Sequence, residues 1–100
     1  MIIVSGIVRL AQPVPADMHA DMLAVLTATR TEAGCLTYSY AVDVLEPDLI
    51  RIYEEWETRE ALDAHSNAPH MPAWRQALAR VGVAERKLVT IEAGAIAPLS

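Results

Sequence analysis

An α+β fold with the element order β-α-β-β-α-β is what this sequence predicts, and three observations carry the prediction. Four segments, 2–11, 35–42, 49–56 and 83–93, are rich in β-branched and aromatic residues. Between the first and second, and again between the third and fourth, apolar residues recur at helical spacing. The middle two β segments are separated only by 43–48, with Glu46-Pro47-Asp48 at its centre, which suits a hairpin and is too short for a helix.

Taken in order, Ile2, Ile3, Val4, Ile7 and Val8 place apolar residues on both faces of the first strand, so both faces need cover. Pro13 and Pro15 end it, and Pro15 suits the entry to a helix. From Asp17 to about Glu32, Met18, Met22, Val25, Leu26 and Thr29 share one helical face, and Asp17 and Asp21 lie where the helix dipole favours negative charge. Gly34 is the expected stop. In Cys35–Val42 the alternation predicts Leu36, Tyr38, Tyr40 and Val42 on one face, with Thr37, Ser39 and Ala41 on the other. In Leu49–Trp56 it groups Ile50, Ile52, Glu54 and Trp56 against Arg51, Tyr53 and Glu55. Thr58 is a fitting N-cap for a helix to about Ser66 whose inner side carries Ala61, Leu62 and His65. Pro69 and Pro72 interrupt the pattern, after which Trp74, Leu78 and Val81 define a second helical piece that Gly82 stops. Residues 83–93 form the last strand and 94–100 a tail.

The order is that of a ferredoxin-like domain, with one antiparallel sheet and helices on one face. A chain of 100 residues supports a single domain, 1–100, and has no third layer for the other sheet face. A second copy packed sheet against sheet, a homodimer forming an α+β barrel, is the economical cover. Hydrophobic residues at 53% exclude a disordered chain, and a net charge of −5 leaves no basic stripe for nucleic acid or an acidic membrane surface. The single cysteine, Cys35, excludes an internal disulfide. The apolar N-terminal run has no preceding Lys or Arg and is broken by Arg9, which fits neither a signal peptide nor a span, so a cytoplasmic protein is expected.

Phenylalanine is absent, and all two Trp and three Tyr fall between Tyr38 and Trp74, which points to a site there. His65 faces the sheet near Glu54 and Trp56, where it reads either as a proton-transfer group or as a buried structural histidine. Glu54, among apolar neighbours, reads as a second titrating group or as the partner of Arg51, Arg75 or Arg86. Trp56 and Trp74 read as pocket walls or core, and Tyr38 and Tyr40 as phenolic donors or cross-strand packing. His70 sits at the helix break, a position suited to a pocket rim. The spacing from His65 to His70 matches no familiar metal motif and no third ligand is evident, so no metal is expected. There is no glycine-rich phosphate loop or nucleophile elbow, and Cys35 has no evident base beside it.

The stretch from Glu32 through Gly34 and Cys35 to Tyr38, then Glu54-Glu55-Trp56, Ala61 to His65, and Pro69-His70-Met71, resembles the antibiotic biosynthesis monooxygenase family, and within it the small candidate quinol monooxygenases. The resemblance spans nearly the whole chain. It implies a dimeric α+β barrel with a pocket between sheet and helices, and oxidation of polycyclic phenols or quinols by O2 without metal, flavin or other cofactor. It matches His65 to the family's helical histidine, Glu54 and Trp56 to its strand-end motif, Tyr38 to an aromatic strand position and His70 to a following histidine. A haem-degrading branch uses an Asn on the first strand, and Ile2 to Leu10 contains none.

The leading expectation is therefore cofactor-independent oxygenation of a small phenol or quinol. His65 serves as base, Glu54 orients it, and Tyr38, Trp56, His70 and Trp74 bind the ring. The alternatives are an isomerase of a small carbonyl compound, using the same proton-transfer pair, and a non-catalytic dimer that binds a small ligand.

Overall fold

A computed structural model describes residues 1–100. Its elements are β1 (Ile2–Leu10), α1 (Met18–Thr29), β2 (Cys35–Val42), β3 (Leu49–Trp56), α2 (Arg59–Ser66), α3 (Met71–Val81) and β4 (Val83–Glu92). The strands form one sheet in the order β2-β3-β1-β4, with every neighbouring pair antiparallel. This is the ferredoxin-like arrangement expected from the element order, with the second helical region split at the prolines.

Helices cover one sheet face. There Val8, Leu10, Ile50 and Ile52 pack with Met18 and Val25 of α1 and with Met71, Trp74, Ala77 and Val81 of α3. Toward the other end of the strands, Ile2, Val4, Tyr38 and Trp56 pack with Leu62 of α2. Thr58 caps α2 by accepting the amide N–H of Ala61 on its hydroxyl at 3.1 Å. Pro72 lies in the first turn of α3, where a missing N–H breaks no helical bond.

Two local expectations need correction. Helix α1 ends at Thr29 and does not continue to Glu32. The Thr31 hydroxyl donates to the Ala28 carbonyl at 2.7 Å and the Glu32 amide to the Thr29 carbonyl at 3.0 Å, so the chain turns early. Gly34 completes the turn at φ +80°, and a Cβ there would stand 2.6 Å from that of Ala61. Only glycine allows this conformation and this approach of α2. The second correction is Leu36. Cys35 pairs with Trp56 and Thr37 with Glu55, so Leu36 is a bulge residue and is exposed, and the inward face of β2 runs through Tyr38 and Tyr40.

The opposite sheet face carries Ile3, Ile7, Tyr53, Val89 and Ile91, with Val89 53% and Ile91 46% exposed in the single chain. No helix is long and apolar enough to cross a membrane.

Candidate active site

The helices do not reach the β4 edge, and the gap is a cleft of about 770 Å³. Its floor is Val4, Val8, Ile52 and Glu54 with Tyr38 and Tyr40, its helical wall includes Leu62, His65 and Trp74, and its far side is Arg86, Leu88 and Thr90 of β4. The volume lies within the range of small-molecule sites.

His65, near the C-terminus of α2, is 5% exposed. Its ring lies over Trp56, with centroids 4.8 Å apart and planes tilted by 32°, and meets Tyr38 nearly edge-on at 5.1 Å. Its Nδ1 is 2.7 Å from Glu32 Oε2. A carboxylate only accepts, so Nδ1 carries the proton and Nε2 holds the lone pair. Nε2 has no hydrogen-bond partner in the chain, yet no buried polar side-chain atom is left unpaired, so this nitrogen opens on the cleft. Burial lowers the His65 pKa, against the opposing pull of Glu32. The outcome is a neutral imidazole oriented by a carboxylate.

That carboxylate is Glu32 and not Glu54. Glu54 is 6% exposed and accepts the Trp56 indole N–H at 2.9 Å. Burial raises its pKa, while the Trp56 bond and the charge of Arg86 oppose the shift. No Arg lies within ion-pair distance of it, so the expected pairing with Arg51, Arg75 or Arg86 is absent, although Arg86 faces it across the cleft. The Tyr38 and Tyr40 hydroxyls are hydrogen-bonded to each other. Burial pushes the Tyr38 phenol well above its ordinary value and that of Tyr40 up to about 12. Both stay protonated at neutral pH and hold hydrogen-bond donors at the cleft floor.

Of the residues expected at the site, the structure brings His65, Glu54, Tyr38 and Trp74 to the cleft. Trp56 is fully buried against His65, and neither it nor His70, whose ring centre is 6.2 Å from that of His65, lines the cleft. His70 contacts Glu32 at 3.6 Å and the buried Thr29 hydroxyl at 3.2 Å. Tyr40, read from the sequence as a phenolic donor or packing residue, and Arg86, read as a candidate partner of Glu54, also line the cleft, whereas Glu32 has no role in the site as read from the sequence. The sequence signal for Glu32 is its place at the start of the Glu32–Tyr38 stretch, two residues before Gly34 in the turn after α1.

The fold and the cleft define a class, a ferredoxin-like α+β protein with an imidazole–carboxylate pair under an aromatic pocket. The chain belongs to the antibiotic biosynthesis monooxygenase family, whose model matches residues 1–77. It is similar to a candidate antibiotic biosynthesis monooxygenase of Deinococcus radiodurans, with 28% identity and a TM-score of 0.80 over 100% of this chain and 99% of that one. A crystal structure named as an antibiotic biosynthesis monooxygenase is 25% identical, with a TM-score of 0.81 over 95% of this chain and 100% of that one. An uncharacterized protein of Synechocystis is 29% identical over 69 residues, which span 69% of this chain and 47% of that protein. This chain thus matches about half the length of that relative.

Proposed function

We propose that the protein is a cofactor-independent monooxygenase that oxidises a small phenol or quinol with O2. The observation that carries the reading is the neutral, carboxylate-oriented His65, with its free Nε2 opening on a cleft lined by Tyr38, Tyr40 and Trp74. Family membership supports it. His65 Nε2 takes the phenolic proton, and Glu32 stabilises the imidazolium through Nδ1–H. The electron-rich phenolate passes one electron to O2, and the resulting pair recombines at a ring carbon as a peroxide. Loss of water, with a proton returned to the departing oxygen, leaves a quinone. One oxygen atom enters the product and the other leaves in water, so phenol plus O2 gives quinone plus H2O with no external reductant. The Tyr38–Tyr40 pair donates to the substrate oxygen, and Trp74 holds the ring. Glu54 on the cleft floor, kept protonated more readily by its burial, would return the proton to the peroxide, with the charge of Arg86 farther along the cleft.

The test is oxygen uptake by the protein with a panel of hydroquinones and naphthols, corrected for autoxidation. Saturable uptake that falls in His65→Ala supports the reading. Turnover of a verified substrate that is unchanged in that variant refutes the role of His65.

The same proposal includes a homodimer. A second copy would cover the outer sheet face, where Ile3, Ile7, Val89 and Ile91 lie among Arg51, Glu55, Glu85 and Lys87, side chains of both charge signs. Light scattering should give twice 10.9 kDa at micromolar concentration, and a stable monomer would refute the dimer.

A further inference from the structure

We propose that Glu32, His65 and His70 form a binding site for a divalent transition-metal ion, with zinc as the best-matched probe. The inference goes beyond the oxygenase reading and does not depend on it. The three residues come from the turn after α1, the end of α2 and the start of α3, and one ligand atom of each lies within 4.8 Å of the other two. Two imidazole nitrogens and a carboxylate oxygen are the donor set of open zinc sites, which keep a fourth position for water.

The geometry is close to what the ion needs. Ligands about 2.0–2.1 Å from a tetrahedral zinc stand roughly 3.3 Å from one another. Glu32 Oε2 to His65 Nδ1 is 2.7 Å and Glu32 Oε1 to His70 Nε2 is 3.6 Å, distances that bracket that separation. The His70 side chain is 23% exposed and makes no capping bond to α3, and turning its Nε2 onto an ion gives up one contact, the 3.2 Å hydrogen bond with the Thr29 hydroxyl at the end of α1. The charge also fits. Glu32 forms no ion pair with any Lys or Arg, its ionic contacts being to the two imidazoles alone. The carboxylate therefore lies in a mostly buried position with no Lys or Arg beside it, a place that a divalent cation would fill.

Occupancy would have a defined effect on His65. The ion takes the Nδ1 position now held by a proton, and that proton moves to Nε2, so the imidazole stays neutral but loses its free lone pair on the cleft side. Metal binding and proton abstraction at His65 are mutually exclusive, which makes the ion an inhibitor of any reaction that uses His65 as base.

The test is calorimetric titration of chelator-treated, tag-free protein with Zn2+, alongside visible spectra of Co2+ added in its place. Wild type should bind one Zn2+ per chain, and Co2+ should give the intense absorption of a four- or five-coordinate site. His70→Ala and Glu32→Gln should each weaken binding about 10-fold or more, while His19→Ala, at an exposed histidine on α1, should leave it unchanged. Thermal melts without metal establish that the variants fold, and a zinc-induced rise in Tm should appear in wild type and vanish in His70→Ala. No binding at micromolar Zn2+ overturns the proposal, as does equal binding in wild type, His70→Ala and Glu32→Gln. These readouts need no substrate, so they stand or fall separately from oxygen uptake.

Discussion

Strands β3 and β4 flank the same central strand, yet they meet different fates on the helix side of the sheet. The inward residues of β3 (Ile50, Ile52, Glu54 and Trp56) are all buried, whereas those of β4 (Arg86, Leu88, Thr90 and Glu92) are exposed or half-buried. Part of the difference is chemistry, since β3 has apolar residues at three of those four positions and β4 polar or charged ones at three of four. The rest comes from where the helices lie, with α1 and α3 over β3 and β1 and only Leu88 of β4 packed against that core. A sheet residue under a helix becomes core, and the next strand along becomes the wall of a cleft. The catalytic candidates sit on the seam between these regions, where burial shifts a pKa and solvent still reaches one atom.

The largest effect that would sharpen this contrast is on activity. His65→Ala should lower oxygen uptake with a verified substrate by about 100-fold or more, the scale of general-base catalysis, with far-UV circular dichroism unchanged. Glu32→Gln should lower it less, because the ring loses its orienting charge and keeps its lone pair.

In stability the covered region should dominate. Trp56→Ala, at a fully buried indole, should cost about 3–5 kcal/mol and Ile50→Ala about 2–5 kcal/mol in urea unfolding. Thr90→Ala on β4 should stay within about 0.5 kcal/mol. Comparable losses at the two strands would break the contrast.

A smaller effect concerns pH. Glu54 faces Tyr38 and Tyr40 of β2, Arg86 of β4, the Trp56 indole and, farther off, Glu32, and its net pKa shift is upward. The folded protein therefore holds this proton more tightly than the unfolded chain. The stability that follows is present at acidic pH, below the ordinary glutamate value of 4.5, and is lost as pH rises through the higher folded value. Glu54→Gln removes that loss and keeps an acceptor for the indole N–H. Its unfolding free energy relative to wild type should rise between pH 4.5 and pH 8. A difference that does not change with pH would show that the Glu54 pKa is not raised.

Much of the fold was legible in the chain because it rests on local rules. Period-two alternation in 49–56 placed Glu54 and Trp56 on one inward face, Thr58 announced α2, and Gly82 marked the end of α3. The errors fell where one residue changed the rule. Alternation in β2 misplaced Leu36 because a bulge is a defect in pairing, visible only against β3. Helical periodicity ran α1 on to Glu32, past the turn that Thr31 and Gly34 make together.

The site divides the same way. His65 was marked by its helical position, and Tyr38, Glu54 and Trp74 by strand face or helical stripe. Which carboxylate meets the imidazole was not legible, because Glu32 stands 33 residues from His65 in the chain. Glu54 was the nearer candidate by strand and family pattern. By itself the sequence determined the elements, the inward faces and the histidine, since these follow from propensity and periodicity. Only the tertiary structure decided that Glu32 holds the ring, that Trp56 lies against it and that β4 is left open. Those facts depend on how the turn after α1 and the helices α2 and α3 converge, a long-range geometry that no local period encodes.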